Sequence, residues 1–322
     1  MRYIGNKTKL LPFIERIIQD TCGDITNSTM CDLFAGTGCV SGHFKNKVKK
    51  VISNDMEPYS HALCKNILGF IDKQRASEII EILNEVEPMS GKFTENFSPA
   101  GHRERKFFTE FNASKIDGIR EKIEEFEGEE YYFAMASLIE AADIVANTTG
   151  VYGAFLKKFN KRSSKPIVLK AILPKEGNVG VAFQKDSNEL IKNIKGDILY
   201  LDPPYNSRQY GANYHILNYI VNYKNFTFRE ESKTALGDYN KSSYCSKRKA
   251  LKEFEDLIRN CRFNNVFVSY NNEGLIKDYE FAEIMSGHGA YSCESFSHKR
   301  YKSNTSGKQK KDVTEYVHIL KR

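Results

Sequence analysis

Short apolar runs, each bounded by Gly, Asn or charged residues, recur along the chain. Runs of this length and composition predict buried β-strands. They occupy residues 29–34, 48–53, 179–183, 197–201, 265–270 and 313–320. Helical stretches separate most of them, and strands that alternate with helices indicate a mainly parallel sheet that is covered on both faces. The pattern therefore predicts an α/β fold.

A long segment interrupts this alternation between the second and third predicted strands. Its roughly 110 residues exceed by far an ordinary connection. After Asn112, a candidate N-cap, apolar residues at helical spacing predict one face of a helix. These residues are Ile116, Ile119, Ile123 and Phe126. Residues 131–145 are apolar on nearly all sides. We predict a core domain of residues 1–68 and 182–322 and an inserted, mainly helical domain of residues 69–181.

Composition limits the classes of protein that fit. The chain has 322 residues, 40% of them hydrophobic and 28% charged, and no apolar run approaches the roughly 18 residues of a membrane span. The first residues lack the apolar region of a secretory signal, so we expect a cytoplasmic protein. Seven cysteines without a C-x-x-C pair fit reduced thiols better than disulfides or zinc, and we expect no metal.

The net charge of +7 is concentrated in three stretches. Residues 149–175 contain no acidic residue and seven basic ones, namely Lys157, Lys158, Lys161, Arg162, Lys165, Lys170 and Lys175. Residues 297–311 also lack acidic residues and contain six basic ones, namely Lys299, Arg300, Lys302, Lys308, Lys310 and Lys311. Residues 206–250 carry eight basic and three acidic residues. Three such runs favour a polyanionic partner.

Tyrosines are interleaved with the third basic stretch, namely Tyr205, Tyr210, Tyr214, Tyr219, Tyr223 and Tyr239. Basic groups combined with aromatic rings suit phosphates and bases. The alternative, a solvated face with core tyrosines, stays open for each run. The candidate DNA contacts are Lys157, Lys158, Lys161, Arg162, Arg208 and Tyr214.

A glycine-containing turn follows the first predicted strand. Asp32 precedes the turn, which contains Phe34, Gly36 and Gly38 and leads to a helix near residue 39. Glycines there let the backbone approach a ligand closely. An acidic group before the turn suits an α-amino group better than a pyrophosphate. This favours S-adenosylmethionine over NAD, and the alternative is a tight turn without a ligand.

A second acidic position supports a nucleoside cofactor. Asp55, followed by Met56, ends the next predicted strand about twenty residues later. A carboxylate at a neighbouring strand tip can accept two hydrogen bonds from a ribose diol. The predicted cofactor site contains Asp32, Phe34, Gly36, Gly38, Asp55 and Met56, and it also includes Asp202, which ends a later strand.

The third motif is an apolar strand that ends in Asp202, Pro203, Pro204 and Tyr205. Two prolines cannot continue a strand ladder, so the strand tip is rigid. The Asp202 carboxylate and the Pro203 carbonyl can then face one pocket, which suits an amino group on a planar base. Tyr205 can hold that base by stacking, worth roughly 1–3 kcal/mol.

These motifs, together with residues 3–7, resemble the Dam-like, alpha-type (D12 class) adenine-N6 DNA methyltransferases of restriction–modification systems, particularly the group of the FokI and NlaIII modification enzymes. The resemblance implies an S-adenosylmethionine-dependent Rossmann-like fold with a mixed sheet and an inserted target-recognition domain. It matches Tyr3 and Lys7 to the N-terminal cofactor segment, although many relatives have tryptophan where Tyr3 stands. It matches Asp186 to the contact with the cofactor adenine. The alternative for Asp186 is a helix cap, and the alternative for Lys7 is an exposed lysine.

The resemblance implies methylation of N6 of adenine in double-stranded DNA, with the target base flipped out of the duplex, and a restriction endonuclease as functional partner. The preference for adenine over cytosine rests on the resemblance alone. The pocket chemistry also fits an RNA base amino-methyltransferase, and a catalytically dead nucleic-acid-binding module on the same fold is the other alternative. His215 is either a packing residue or a DNA contact, and both alternatives stay open. No pattern in the chain predicts which DNA sequence is recognised.

Overall fold

The computed structural model describes residues 1–298 and 313–322. It contains one seven-stranded sheet in the order β3-β2-β1-β4-β5-β7-β6. The strands are β1 Thr29–Asp32, β2 Lys50–Asn54, β3 Val181–Phe183, β4 Lys195–Leu201, β5 Arg262–Asn271, β6 Ala290–His298 and β7 Val313–Lys321. The first five pair in parallel, and β7 pairs antiparallel with both β5 and β6. The predicted α/β fold with a mixed sheet is confirmed.

Six of the seven strands lie where apolar runs predicted them, with ends shifted by up to three residues. The exception is β6, which the apolar pattern missed. Its sequence is largely polar, and its described side chains are exposed or half-buried because it lies at the edge of the sheet. An edge strand needs no continuous apolar run.

Two clusters of apolar side chains cover the two faces of the sheet. Along β4, Ile198 and Tyr200 face one cluster, whereas Leu199 and Leu201 face the other. This alternation follows from the two-residue period of a strand. The burial of both faces explains why the strands are apolar runs.

The helices are α1 Leu11–Cys22, α2 Cys39–Phe44, α3 Pro58–Leu68, α4 Lys73–Glu85, α5 Lys92–Phe97, α6 Glu110–Ile123, α7 Gly128–Val145, α8 Ser187–Ile191, α9 Tyr210–Asn213, α10 His215–Val221, α11 Ala250–Asn260 and α12 Asp278–Ser286. The first of the two sheet clusters lies under α1, and the second lies under α11 and α12.

The segment 69–181 is helical up to Val145 and irregular afterwards. Its N-cap prediction is wrong: Thr109 caps α6, because its hydroxyl accepts the Asn112 N–H at 3.2 Å. The Asn112 side chain instead receives the Ile167 N–H at 2.8 Å. One hydrophobic cluster joins α4, α6 and α7 to α3 and to residues 214–235. The segment therefore shares its core with residues on both sides of it in the sequence.

No helix within residues 1–298 and 313–322 combines the length and hydrophobicity of a membrane span. All seven cysteines are free thiols, as expected.

Candidate active site

The carboxyl ends of β1, β2 and β4 lie side by side, because β1 pairs with β2 on one side and with β4 on the other. Asp32 ends β1, Asp55 follows β2 and Asp202 follows β4. A cavity opens there, and all three residues line it. In open α/β sheets, ligands bind at this edge, where the strand order reverses. The fold brings together the three acidic residues that the sequence predicted for one site.

The turn after β1 has no room for side chains at its glycines. Gly36 and Gly38 have φ values of +53° and +72°, in the left-handed region that favours glycine. A Cβ atom on Gly36 would lie 2.9 Å from a ring carbon of Tyr3. Gly38 precedes α2, which begins at residue 39 as predicted. Phe34 lines the cavity with Gly36, whereas Gly38 packs against Ile67 outside it.

Asp32 is 1% exposed, and only one of its two carboxylate oxygens accepts hydrogen bonds from described residues. Its Oδ2 accepts hydrogen bonds from the Ser41 N–H at 3.1 Å and hydroxyl at 2.7 Å. Its Oδ1 is buried and accepts no hydrogen bond from any residue that the structure describes. Burial raises the pKa of Asp32 to about 7, and the Ser41 hydrogen bonds oppose that rise. A buried carboxylate oxygen of this kind suits a cationic donor.

Asp55 is held by backbone N–H groups. Gly36 donates to its Oδ2 at 2.8 Å, and Glu57 donates to its Oδ1 at 3.0 Å. Burial raises its pKa, and these N–H donors oppose the rise. Each carboxylate oxygen has a second lone pair, so Asp55 can still accept hydrogen bonds from a diol in the cavity. Met56 lines the cavity next to it.

Lys7 forms an ion pair with Asp202, with Nζ 2.8 Å from Oδ1 and side chains 7% and 18% exposed. Burial raises the pKa of Asp202 and Lys7 opposes that rise. Burial acts to lower the pKa of Lys7, but the charges of Asp202 and Glu315 and the hydrogen bond to Asp202 together outweigh it, so the pKa of Lys7 is raised. The alternative of a solvent-exposed Lys7 is wrong.

The rest of the strand tip divides between cavity and core. Pro204 lines the cavity, whereas Pro203 is buried outside it. Tyr205 is half-buried and packs at the margin of the cluster under α11 and α12. Its carbonyl accepts the Leu275 N–H at 3.1 Å, which anchors the tip.

Tyrosines from α9 and the turn before α10 hold the N-terminal segment over the cavity. The Tyr3 and Tyr214 rings stack with centroids 5.0 Å apart. The Tyr214 hydroxyl accepts the Ile4 N–H at 2.9 Å, and the Tyr210 hydroxyl donates to the Ile4 carbonyl at 3.4 Å. Tyr214 is fully buried, so a DNA contact through its side chain is incompatible with this arrangement. Its role is to fix the segment that contains Tyr3 and Lys7.

Two of the other interleaved tyrosines are core residues too. Tyr219 and Tyr223 are 5% and 4% exposed and belong to the cluster around α6 and α7. His215 is also buried, with Nδ1 3.0 Å from the Ala212 carbonyl oxygen and Nε2 2.9 Å from that of Thr234. It packs inside the protein and has no access to DNA.

The predicted basic DNA contacts differ in exposure. The exposed ones are Lys157, Lys158, Lys161 and Arg208. Arg162 is half-buried, and its guanidinium donates to the carbonyls of Ala146 and Thr148 at 3.2 and 3.4 Å. Burial lowers its pKa. Arg162 thus stabilises the irregular segment after α7. The basic run of residues 299–311 lies outside the described residues.

Asp186 is the helix cap that the sequence offered as one alternative, and its contact with the cofactor adenine stays a prediction. Its Oδ1 accepts the N–H groups of Asn188 and Glu189 at 2.9 and 3.2 Å, which makes it the N-cap of α8. It also lines the cavity. No motif in the sequence pointed to three other lining residues, namely Glu57, Ser242 and Tyr244.

The cavity matches S-adenosylmethionine at two positions. Asp32 offers a buried, unpaired oxygen to an α-ammonium group, and Asp55 offers a carboxylate to a ribose at the neighbouring strand tip. The sheet order, the glycine turn and Asp202 at the tip of β4 define the class: a methyltransferase that acts on an amino group.

Comparison with known proteins specifies the family. The family model described as D12 class N6 adenine-specific DNA methyltransferase matches residues 3–311, and the chain belongs to this family. The chain is 43% identical to the type II methyltransferase M.NlaIII of Neisseria lactamica, an alignment that covers all of this chain and 99% of that one. It is 38% identical to M.CviAII of Paramecium bursaria Chlorella virus 1, covering 99% of this chain and 97% of that one. It is 35% identical to M.FokI of Planomicrobium okeanokoites, which it matches over 53% of that protein's length.

These findings confirm the predicted family and enzyme class. The protein is an adenine-N6 DNA methyltransferase, its methyl donor is S-adenosylmethionine and its substrate is DNA. The RNA base methyltransferase is not the class that the family indicates.

Proposed function

We propose that the chain is the modification enzyme of a type II restriction system. It methylates adenine at one sequence in double-stranded DNA, in the cytoplasm, and protects that sequence from a partner endonuclease. The full-length similarity to M.NlaIII supports this role. The observation that carries the catalytic part is the convergence of Asp32, Asp55 and Asp202 on one cavity.

In this proposal Asp202 acts on the target amino group. Lys7 pairs with Oδ1, which leaves Oδ2 to accept an N–H of the adenine amino group. The amine lone pair is delocalised into the ring, so an acceptor on its N–H draws the nitrogen toward tetrahedral geometry and stabilises the developing positive charge. The Pro203 carbonyl, next to Asp202 in the chain, is the second acceptor in this proposal, although Pro203 does not line the cavity in the structure. Bound S-adenosylmethionine supplies the electrophilic methyl group.

The positively charged product nitrogen loses its proton to water, so the reaction needs no separate base. Asp32 holds the α-ammonium of the cofactor and Asp55 its ribose. The cofactor site is completed by other residues that line the cavity, namely Tyr3, Phe34, Gly36, Met56 and Asp186. Gly38 acts indirectly, by shaping the turn.

A base within a duplex cannot reach Asp202, so the target adenine has to leave the stack. Tyr205 receives it by stacking. Residues 69–181 form the DNA-recognition part, and the exposed Lys157, Lys158 and Lys161 contact phosphates there. Arg208, three residues after Tyr205, contacts the backbone near the flipped base.

Methylation mapping tests the proposal. DNA from cells that express the protein is sequenced at single-base resolution, with cells expressing Asp202→Ala as control. We expect N6-methyladenine at every copy of one short sequence, and none with the variant. Methylation of RNA alone would support the RNA alternative, and S-adenosylmethionine binding without methylation of either would support the dead module.

A further inference from the structure

A fourth carboxyl group at the cavity, Glu57, has no role in the mechanism above. It is 3% exposed and lines the same cavity as Asp55. Glu57 occupies the N-cap position of α3, where an acidic side chain is well placed to accept helix N–H groups. Its side chain nevertheless forms no cap hydrogen bond. Helix capping therefore does not account for this buried carboxyl group.

Asn218 of α10 holds Glu57 in place. Its Nδ2 donates to Glu57 Oε2 at 2.6 Å, and its Oδ1 accepts the Tyr59 N–H at 3.2 Å. Since the Tyr59 N–H can only donate, it fixes the orientation of the amide and turns the NH₂ group toward Glu57. The second oxygen, Oε1, lies beside Gly211 of α9 and has no hydrogen-bond partner among the described residues, so it is available to a ligand.

The surroundings of Glu57 favour its neutral form. Burial raises the pKa of Glu57 to about 8, the Asn218 hydrogen bond opposes the rise, and the Asp55 charge adds to it. A protonated carboxyl group has one donor, which the Asp55 carboxylate lacks. A diol offers both a hydroxyl that donates and one that accepts, so the two carboxyl groups complement it.

Position also connects Glu57 to Asp55. Its own N–H donates to Asp55 Oδ1 at 3.0 Å, so the two residues share one turn at the tip of β2. We propose that Glu57 is a further cofactor-binding residue, whose carboxyl group hydrogen-bonds one ribose hydroxyl while Asp55 binds the other. Asn218 is its positioning residue. The inference rests on the proposed ribose role of Asp55.

Calorimetric titration with S-adenosylhomocysteine, which has the same ribose, tests the inference on the whole protein without requiring turnover. Glu57→Met removes the hydrogen bond and should weaken binding about 3- to 10-fold. Glu57→Gln keeps a donor and an acceptor and should restore most of that affinity. A residue that only fills space would show the opposite order, because Met is the more apolar side chain. The exposed Glu81→Met on α4 is the matched control and should bind like the parent protein.

Ribose analogues make the contact specific. The parent protein should bind both the 2′-deoxy and the 3′-deoxy forms of S-adenosylhomocysteine more weakly than the full ribose. In Glu57→Met, one of these two differences should disappear, because the partner of that hydroxyl is already gone. Equal discrimination by parent and variant against both analogues overturns the inference.

Two further variants guard against ambiguous results. If Glu57→Met does not fold, Asn218→Ala carries the same test, since an unsupported Glu57 should lose part of the same discrimination. Asp55→Ala separates the two proposals. Unchanged affinity in Asp55→Ala overturns the ribose site as a whole, whereas weaker binding there combined with unchanged binding in Glu57→Met overturns the role of Glu57 alone.

Discussion

Replacing Asp202 by Asn tests the centre of the proposed mechanism. Asn keeps the size of the side chain but has only one oxygen. Because Lys7 can only donate, that oxygen faces Lys7 and the NH₂ group faces the target amine, so the transition state loses this acceptor. Loss of one transition-state partner typically costs about 10²–10³ in kcat. We expect that fall at saturating DNA and S-adenosylmethionine, measured by transfer of labelled methyl groups.

The Lys7–Asp202 pair allows a second, independent magnitude. Removing one partner of a buried pair costs about 3–5 kcal/mol, because the other charge is left buried. Lys7 is 7% exposed and Asp202 18%, so we expect about 2–3 kcal/mol for Asp202→Asn. Lys7→Met should destabilise less, because Asp202 can then take up a proton. The double variant removes both charges of this pair and leaves neither of them unpaired, so its cost should fall below the sum of the single costs by about 1–3 kcal/mol.

Urea unfolding of the four proteins measures this coupling, and Asp20→Asn on α1 is the matched control. Asp20 pairs with Arg16 at 3.1 Å, but its side chain is 63% exposed. That variant should keep its kcat and change stability by less than about 0.5 kcal/mol. A fall in kcat smaller than about fivefold for Asp202→Asn would refute the assignment of the catalytic tip. Additive single costs would refute the ion pair.

Three other predictions concern the cofactor and DNA. Asp55→Ala should weaken S-adenosylmethionine binding by roughly 1.5–3 kcal/mol and leave DNA affinity unchanged, as measured by calorimetry and by fluorescence anisotropy. Asp32 must be ionised to bind the α-ammonium group, and its pKa is about 7. The affinity for S-adenosylmethionine should therefore be full above pH 7 and fall by up to about tenfold per pH unit below it. Asp32→Asn should flatten that profile. Neutralising Lys157, Lys158 and Lys161 should reduce the slope of log K against log salt by about 0.9 for each phosphate that the protein no longer neutralises, without changing the methylated site. The control variant neutralises exposed lysines at the amino ends of β2 and β4, away from the cavity, and should leave the slope unchanged. These residues are Lys49, Lys50 and Lys195.

The sequence predicted the strands well because both faces of the sheet are covered. A strand such as β4 must then be apolar at every buried position, which leaves a recognisable run. The same physics placed Asp32, Asp55 and Asp202 at one edge, since parallel strands end on the same side. The edge strand β6 escaped because nothing requires it to be apolar.

Contacts between distant residues were harder to predict. The sequence flagged Tyr214 for its place among basic residues, but an aromatic ring that packs inside a protein looks the same in sequence as one that stacks on a base. Likewise, nothing local shows that Glu57 meets Asn218, 161 residues away. Such pairs follow from the packing of α3 against α10, which the periodicity of either helix alone does not specify.

The core shared between residues 69–181 and residues 214–235 bears on how new sequence specificities can arise. Leu138 of α7 and Leu217 of α10 are both fully buried in that one cluster. In a chimera that takes residues 69–181 from a relative, the side chains of the new segment would pack against an α10 with which they do not match. Overpacking or cavities in such a core typically lower the free energy of unfolding by several kcal/mol. Recombination between relatives is therefore expected to succeed when both segments are exchanged together, including residues 182–213 that separate them in the sequence.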